Sequence, residues 1–224
     1  MKKVSIHQPE HLPWLGFIHK VMSVDEFVLL DNVQFNKNYF HNRNKIKTSQ
    51  GWQWLTVPIK KKRNHQNINE VEISYEQDWQ LKNLKSIKSS YAKAKYFSQY
   101  SKDFKDIYQT KFKLLRDLNI ELIKFIFKKF GLNTKIHIAS ELIDKSEKTE
   151  LLLSICQKLG ADVYLSGISG KDYLDVFKFK KANIKVEFQN FEHPIYQQMH
   201  GPFVPEMSSI DLLFNYGHNS LPIL

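Results

Sequence analysis

Apolar residues recur along this chain with two different periods. Val4-Ser5-Ile6 opens as a strand that breaks at His7-Gln8-Pro9, because Pro9 and Pro13 keep the stretch out of a helix interior. From Trp14 to Ser23, the apolar positions Trp14, Phe17, Ile18 and Val21 fall on one face of a helix. Phe27-Val28-Leu29-Leu30 is a continuous apolar run ending at Asp31, as expected of a strand buried on both faces. Strand, polar loop, helix and strand together predict a βαβ unit.

Residues 32–50 lack periodicity and read as loop. Trp52–Val57 is rich in strand formers, Lys60–His65 reads as a solvated basic turn, and Ile68–Tyr75 is a further strand candidate. Residues 78–131 form a helical block that stops at Gly131. Its aromatics (Tyr91, Tyr96, Phe97, Tyr100, Phe104, Tyr108) lie mostly at helical spacing and are expected in a core. Lys135–Ala139 reads as a strand. Asp144 and Glu147 fit a capping box, ahead of a helix with Leu151, Leu152, Ile155 and Leu159 on one face. Gly160 ends that helix, Asp162–Ser166 and Ile184–Phe188 are strands, and Ser208–Asn215 is a short helix in a loop-rich tail. The pattern predicts one α/β domain over residues 1–224: a mostly parallel sheet with flanking helices and a helical insert at about 78–131.

Composition changes this picture only in part. With 42% hydrophobic and 25% charged residues, the chain is globular rather than disordered. The single cysteine, Cys156, excludes an internal disulfide and sits where a thiol packs as a small hydrophobe. Val4–Ile6 is too short for a leader peptide, and no apolar run approaches a membrane span, so the expected compartment is the reducing cytoplasm. The net charge of +10 comes almost wholly from lysine spread over helices. It reads as a solvated basic surface, and no specific nucleic-acid partner is expected. Against that background Arg43 stands out, since arginine offers a planar, bidentate fork that lysine lacks.

In a parallel α/β sheet, ligands bind beyond the carboxyl ends of the strands. His7, Gln8 and His11, after the first strand, are candidates to bind phosphate or move protons. Asp31, after the second strand, suits Mg²⁺, a hydroxyl or an amine, with Gln34 beside it; a loop cap is the plainer alternative. His41, Asn42, Arg43, Asn44 and Lys47 form a candidate clamp for a phosphate or carboxylate. Ser166, Gly167, Ser169, Gly170 and Tyr173 follow another strand, and the glycines there allow close backbone approach to an anion. His193 and His200 lie in a Pro- and aromatic-rich loop that is a candidate lid. The nine histidines offer no metal-ligand spacing, and no metal site is assigned.

Taken in order, Ile6-His7-Gln8-Pro9, Leu12-Pro13-Trp14-Leu15-Gly16, Leu30-Asp31-Asn32-Val33-Gln34, Asn42-Arg43-Asn44, the Gly51-to-Pro58 segment, Tyr164-Leu165-Ser166-Gly167 and Ser208–Asn215 resemble the WbqC-like protein family of bacteria. Asn32 stands where an aspartate is more usual. The resemblance implies a place in O-antigen or other surface-polysaccharide synthesis and an acyl or aminoacyl (glycine) transferase or ligase activity. The acceptor would be an amino sugar or sugar-nucleotide precursor. It brings no catalytic residue, so the candidates above rest on their chemistry.

The opening strand, His- and Pro-containing turn, helix and strand are also similar to HIGH-type nucleotidyltransferases and pantothenate synthetase-like ligases. That implies ATP with Mg²⁺, but no His-x-Gly-His is present and Trp14 and Gly16 follow His11, which leaves the cofactor open. The expected partner is a small molecule: a sugar nucleotide, an amino acid or a nucleotide. A non-catalytic sugar-nucleotide-binding or scaffold protein and a nucleic-acid-binding protein are the alternatives.

Overall fold

The computed structural model describes residues 1–60, 66–143 and 148–224. The Asp144–Glu147 capping box and most of the Lys60–His65 turn lie outside the described residues. Packing divides the chain into two compact units. One comprises Met1–Gln8, His19–Asn32 and Thr134–Glu192; the other comprises Pro9–Ile18, Val33–Asn133 and His193–Leu224.

The first unit is built on a five-stranded sheet. Its strands are β1 (Lys3–His7), β2 (Glu26–Leu29), β5 (Lys135–Ile138), β6 (Val163–Ser166) and β7 (Lys185–Phe188), and their spatial order is β5-β2-β1-β6-β7. Every pairing is parallel. The mostly parallel α/β sheet expected from the sequence is therefore present. Phe27, Val28 and Leu29 are wholly buried, each stabilising the fold by roughly 1.5–3 kcal/mol. The outer strands β5 and β7 instead carry Lys135, Lys185 and Glu187, charges that discourage edge-to-edge pairing. Helix α1 (Leu15–Met22) connects β1 to β2, and its residues from His19 onward belong to this unit. The short α5 (Ala139–Leu142), α6 (Lys148–Lys158) and α7 (Val176–Lys181) complete it. α6 buries Leu151, Leu152, Ile155 and Cys156.

The second unit holds the helical block and a hairpin. The block resolves into α2 (Trp79–Tyr91), α3 (Phe97–Gln109) and α4 (Leu115–Phe130). Tyr91, Tyr100, Phe104 and Tyr108 are buried as expected, whereas Tyr96 and Phe97 are half-buried. Phe104 stacks on Tyr108 at 4.8 Å and meets Phe125 and Phe214 edge-on. Gly131 closes α4 in a left-handed conformation (φ 76°), which glycine adopts without a Cβ penalty. Helix α8 (Ile210–Tyr216) packs its apolar residues into the same core.

Two sequence expectations change here. Residues 32–50 contain a strand, β3 (Arg43–Thr48), antiparallel to β4 (Gly51–Thr56). Ile68–Tyr75 is no continuous strand but a 3-10 turn, Ile68–Glu70, followed by single bridges at Glu72 and Ile73. Among the described residues no helix is long and apolar enough to cross a membrane.

Candidate functional site

The strand order of the first unit locates its ligand-binding edge. From β1 the chain winds outward through β2 to β5, then returns to the other side of β1 for β6 and β7. The direction reverses between β1 and β6, and in open α/β sheets ligands bind beyond the carboxyl ends of the strands at that reversal. Ser5 lies opposite Leu165, and its hydroxyl donates to the Leu165 carbonyl at 2.6 Å. Continuing that register by two residues brings His7 level with Gly167.

His7 is half-buried, with Nδ1 3.0 Å from the Gln8 carbonyl oxygen. A carbonyl can only accept, so Nδ1 carries the proton and Nε2 the lone pair in the neutral ring. Gly167 is placed against a cation: a Cβ there would lie 3.0 Å from Lys20 Nζ. The Lys20 side chain is itself buried, at 4% exposure. Ser166 Oγ occupies the space a Cβ on Gly170 would need, at 2.0 Å. The glycines of this turn thus admit one ammonium and one hydroxyl to the backbone. Ser169 and Tyr173 are exposed on the following turn. Next to Lys20, His19 Nδ1 accepts from the Gln189 side-chain amide at 3.0 Å, and burial lowers the pKa of its ring.

The Asp31 carboxylate is fully buried and accepts from the Ser140 backbone N–H at 2.9 Å and the Ser140 hydroxyl at 2.7 Å, at the start of α5.

In the second unit, residues expected to meet ligand are largely interior. His11 is fully buried; its Nδ1 donates to Asn119 Oδ1 at 3.1 Å and its Nε2 accepts from the Tyr108 hydroxyl at 2.8 Å. Both ring nitrogens are spent, and desolvation lowers its pKa to about 4, against a smaller opposing effect of Asn119. His11, expected from the sequence to bind phosphate or move protons, is here a neutral ring tying Asn119 to Tyr108. Burial likewise lowers His41 to about 4, and its Nδ1 accepts from the Asn36 N–H. Asn119 donates to the carbonyls of His41 and Pro9, joining both histidine segments.

Asn42 and Asn44, expected in the clamp, brace the backbone here. Asn42 donates to the Val57 carbonyl and accepts from the Asn38 N–H; Asn44 donates to the Leu12 carbonyl. Lys47, buried, donates through Nζ to the Pro202 carbonyl. Its pKa falls through desolvation, offset by Asp211. Asp211 is fully buried and accepts from the Tyr91 hydroxyl at 2.7 Å and the Tyr196 hydroxyl at 2.9 Å; desolvation still raises its pKa. His193 donates to the Pro194 carbonyl and accepts from the Glu206 N–H, while Gln34 is exposed at a single bridge to Asn67.

Arg43 alone of the expected clamp is not buried outright. Its guanidinium stacks 4.2 Å from the Trp54 ring, and its Nε is buried without an acceptor. Phe40 and Trp52 flank Trp54, and Trp52 and Tyr39 are about half exposed (47% and 51%).

Sequence reasoning missed Lys20. Its signal was a lysine three residues after Phe17, on the face that also carries Val21 and must be buried.

Comparison with known proteins gives a consistent frame. A family model described as "WbqC-like protein family" matches residues 8–223. The "Uncharacterized protein Rv1507c" of Mycobacterium tuberculosis is 36% identical over 220 residues, covering 97% of this chain and 95% of that protein. No solved structure matches. With nearly the whole length matched in both comparisons, this chain belongs to the WbqC-like protein family.

Proposed function

We propose that this protein is an acyl or aminoacyl (glycine) transferase or ligase acting on an amino-sugar or sugar-nucleotide precursor of surface polysaccharide. The observation that carries the reading is the buried Lys20 ammonium against Gly167 at the reversal between β1 and β6. A cation and an unobstructed backbone at that position suit a phosphoryl group, as a sugar nucleotide or an activated acyl donor would bring. Amide formation joins the acceptor amine nitrogen to the activated acyl carbon, whose bond to the leaving group breaks. The amine loses a proton, and the lone pair of His7 Nε2 is suited to take it. Lys20 would balance the charge on the departing group. ATP would bring its phosphates to the same cradle and would supply the activation of a free carboxylate. Asp31, committed to Ser140, is not a ligand for Mg²⁺ in this reading.

A non-catalytic sugar-nucleotide-binding role is the second reading, favoured by the hairpin face of the other unit. Arg43 has no acidic partner among the described residues and lies beside half-exposed rings, which suits a ring-bearing anion.

A thermal-shift series with UDP- and dTDP-amino sugars, glycine, acyl-CoA, ATP with and without Mg²⁺ and a short DNA tests both. The expected result is saturable stabilisation by a sugar nucleotide that Gly167→Ala weakens, together with acceptor that gains the mass of the acyl group. Binding without turnover, lost in Arg43→Lys but kept in Gly167→Ala, selects the carrier. A salt-sensitive shift with DNA alone overturns both.

A further inference from the structure

We propose that the second unit carries a separate phosphoryl-binding pocket, formed by the C-terminal half of α2 and the Met199–Pro202 loop. The pocket is a concavity of about 490 Å³ rimmed by Lys85, Lys88 and Lys93, with Ser89, Met199 and His200 completing its wall.

No acid balances its charge. Several lysines elsewhere do pair with acids: Lys102 with Asp106, Lys129 with Asp103, Lys178 with Glu150. Helix α2 contains no acidic residue, and Lys85, Lys88 and Lys93 have no acidic partner among the described residues. Lys85 and Lys88 sit three residues apart and so share a helix face, where like charges repel. The C-terminal end of the helix offsets part of that repulsion for Lys88. A dianion in the concavity offsets it for all three.

The wall is built rather than incidental. His200 holds a left-handed backbone (φ 61°), which costs about 1–2 kcal/mol in a residue with a Cβ, and Gly201 follows at φ 66°. Two contacts fix the loop in this shape. His200 Nε2 donates to the Ser90 carbonyl at 2.8 Å, and the buried Lys47 ammonium is spent on the Pro202 carbonyl. Strained residues held by their surroundings concentrate at ligand sites. Three lysines lining an open concavity, with a serine hydroxyl beside them, match a phosphomonoester or diphosphate end of a small molecule. An extended nucleic-acid backbone would call for a stripe of cations rather than a cup.

Inorganic pyrophosphate, titrated into the full chain at fixed ionic strength and followed by the NMR signals of the His200 ring, tests the proposal. Saturable shifts of His200 are expected. Lys88→Glu and Lys93→Glu, both at exposed positions, should each weaken binding at least about fivefold. Lys124→Glu, an equal charge change at an exposed position of α4, should weaken it less than twofold. Equal weakening by all three variants, or a linear response without saturation, would mean diffuse attraction and overturn the pocket. Tighter binding of a DNA oligonucleotide than of pyrophosphate, lost in the same two variants, would overturn the assigned ligand class. Gly167→Ala should leave the His200 response intact, which separates this pocket from the edge at β1 and β6.

Discussion

Acid should unfold this protein through two histidines buried in its second unit. His11 and His41 are fully buried, and burial lowers each from 6.5 to about 4. Between those values the unfolded chain binds two protons that the folded chain refuses. Stability is therefore fully present above about pH 6.5 and is lost as the pH falls toward 4. A displacement of about 2.5 units at about 1.36 kcal/mol per unit gives about 3 kcal/mol for each ring. The pair together is comparable to the whole stability of many domains. Urea denaturation at constant salt, repeated from pH 7.5 to 4.5, should show stability falling by about 2.7 kcal/mol per pH unit in the lower half of the window. Asp211 works in the opposite sense: its raised carboxyl takes up a proton more readily folded than unfolded. Comparing wild type with His11→Gln cancels that contribution, and the slope should fall by half. Equal slopes in the two proteins, or an NMR titration of His11 near its ordinary value, would show that the ring is not sealed as described.

Other consequences follow from single side chains. Burial pushes the Cys156 thiol up to about 12, so a disulfide reagent at pH 8 should label the native protein only as fast as the first unit opens; labelling within seconds contradicts that burial. Gly131→Ala meets no atom within 4 Å, so its cost should be backbone strain alone, about 1–2 kcal/mol in urea denaturation, and an unchanged midpoint would count against the left-handed cap. Asp31→Ala should cost about 1–2 kcal/mol through the lost Ser140 cap while leaving ligand-induced thermal shifts, with or without Mg²⁺, unaltered; a lost Mg²⁺ response would restore the metal reading.

The parallel sheet was legible because its central strands bury apolar side chains without interruption. Phe27-Val28-Leu29 carries that signal alone. Strand β3 was not, because its buried positions include polar ones. Asn44 and Lys47 are interior by virtue of the carbonyls of Leu12 and Pro202, partners distant in sequence that no local period records. The strand order was equally hidden: β5 and β6 are separated in the sheet by β2 and β1, although they follow one another along the chain. Hence nothing in the local pattern marks Lys20, while His7 and Gly167 stand out by their place after strands.

His11, Asn42 and Asn44 show that polar motifs also serve architecture. A buried carbonyl without a partner costs about 1–3 kcal/mol, and the segments around Pro9, Leu12, His41 and Val57 have carbonyls that no strand ladder satisfies. Asn119, Asn42 and Asn44 supply those partners, and His11 orients Asn119. Such side chains must be polar for reasons of architecture alone, whatever the protein binds. A polar residue becomes evidence of chemistry only when the backbone it could serve is already satisfied, or when its own atoms are left over. Arg43 Nε meets that condition. So do the lysines that line the concavity beside His200, which have no acidic partner among the described residues. Function in this chain is therefore better sought in unbalanced groups on rigid elements than in the polar stretches by which its sequence is recognised.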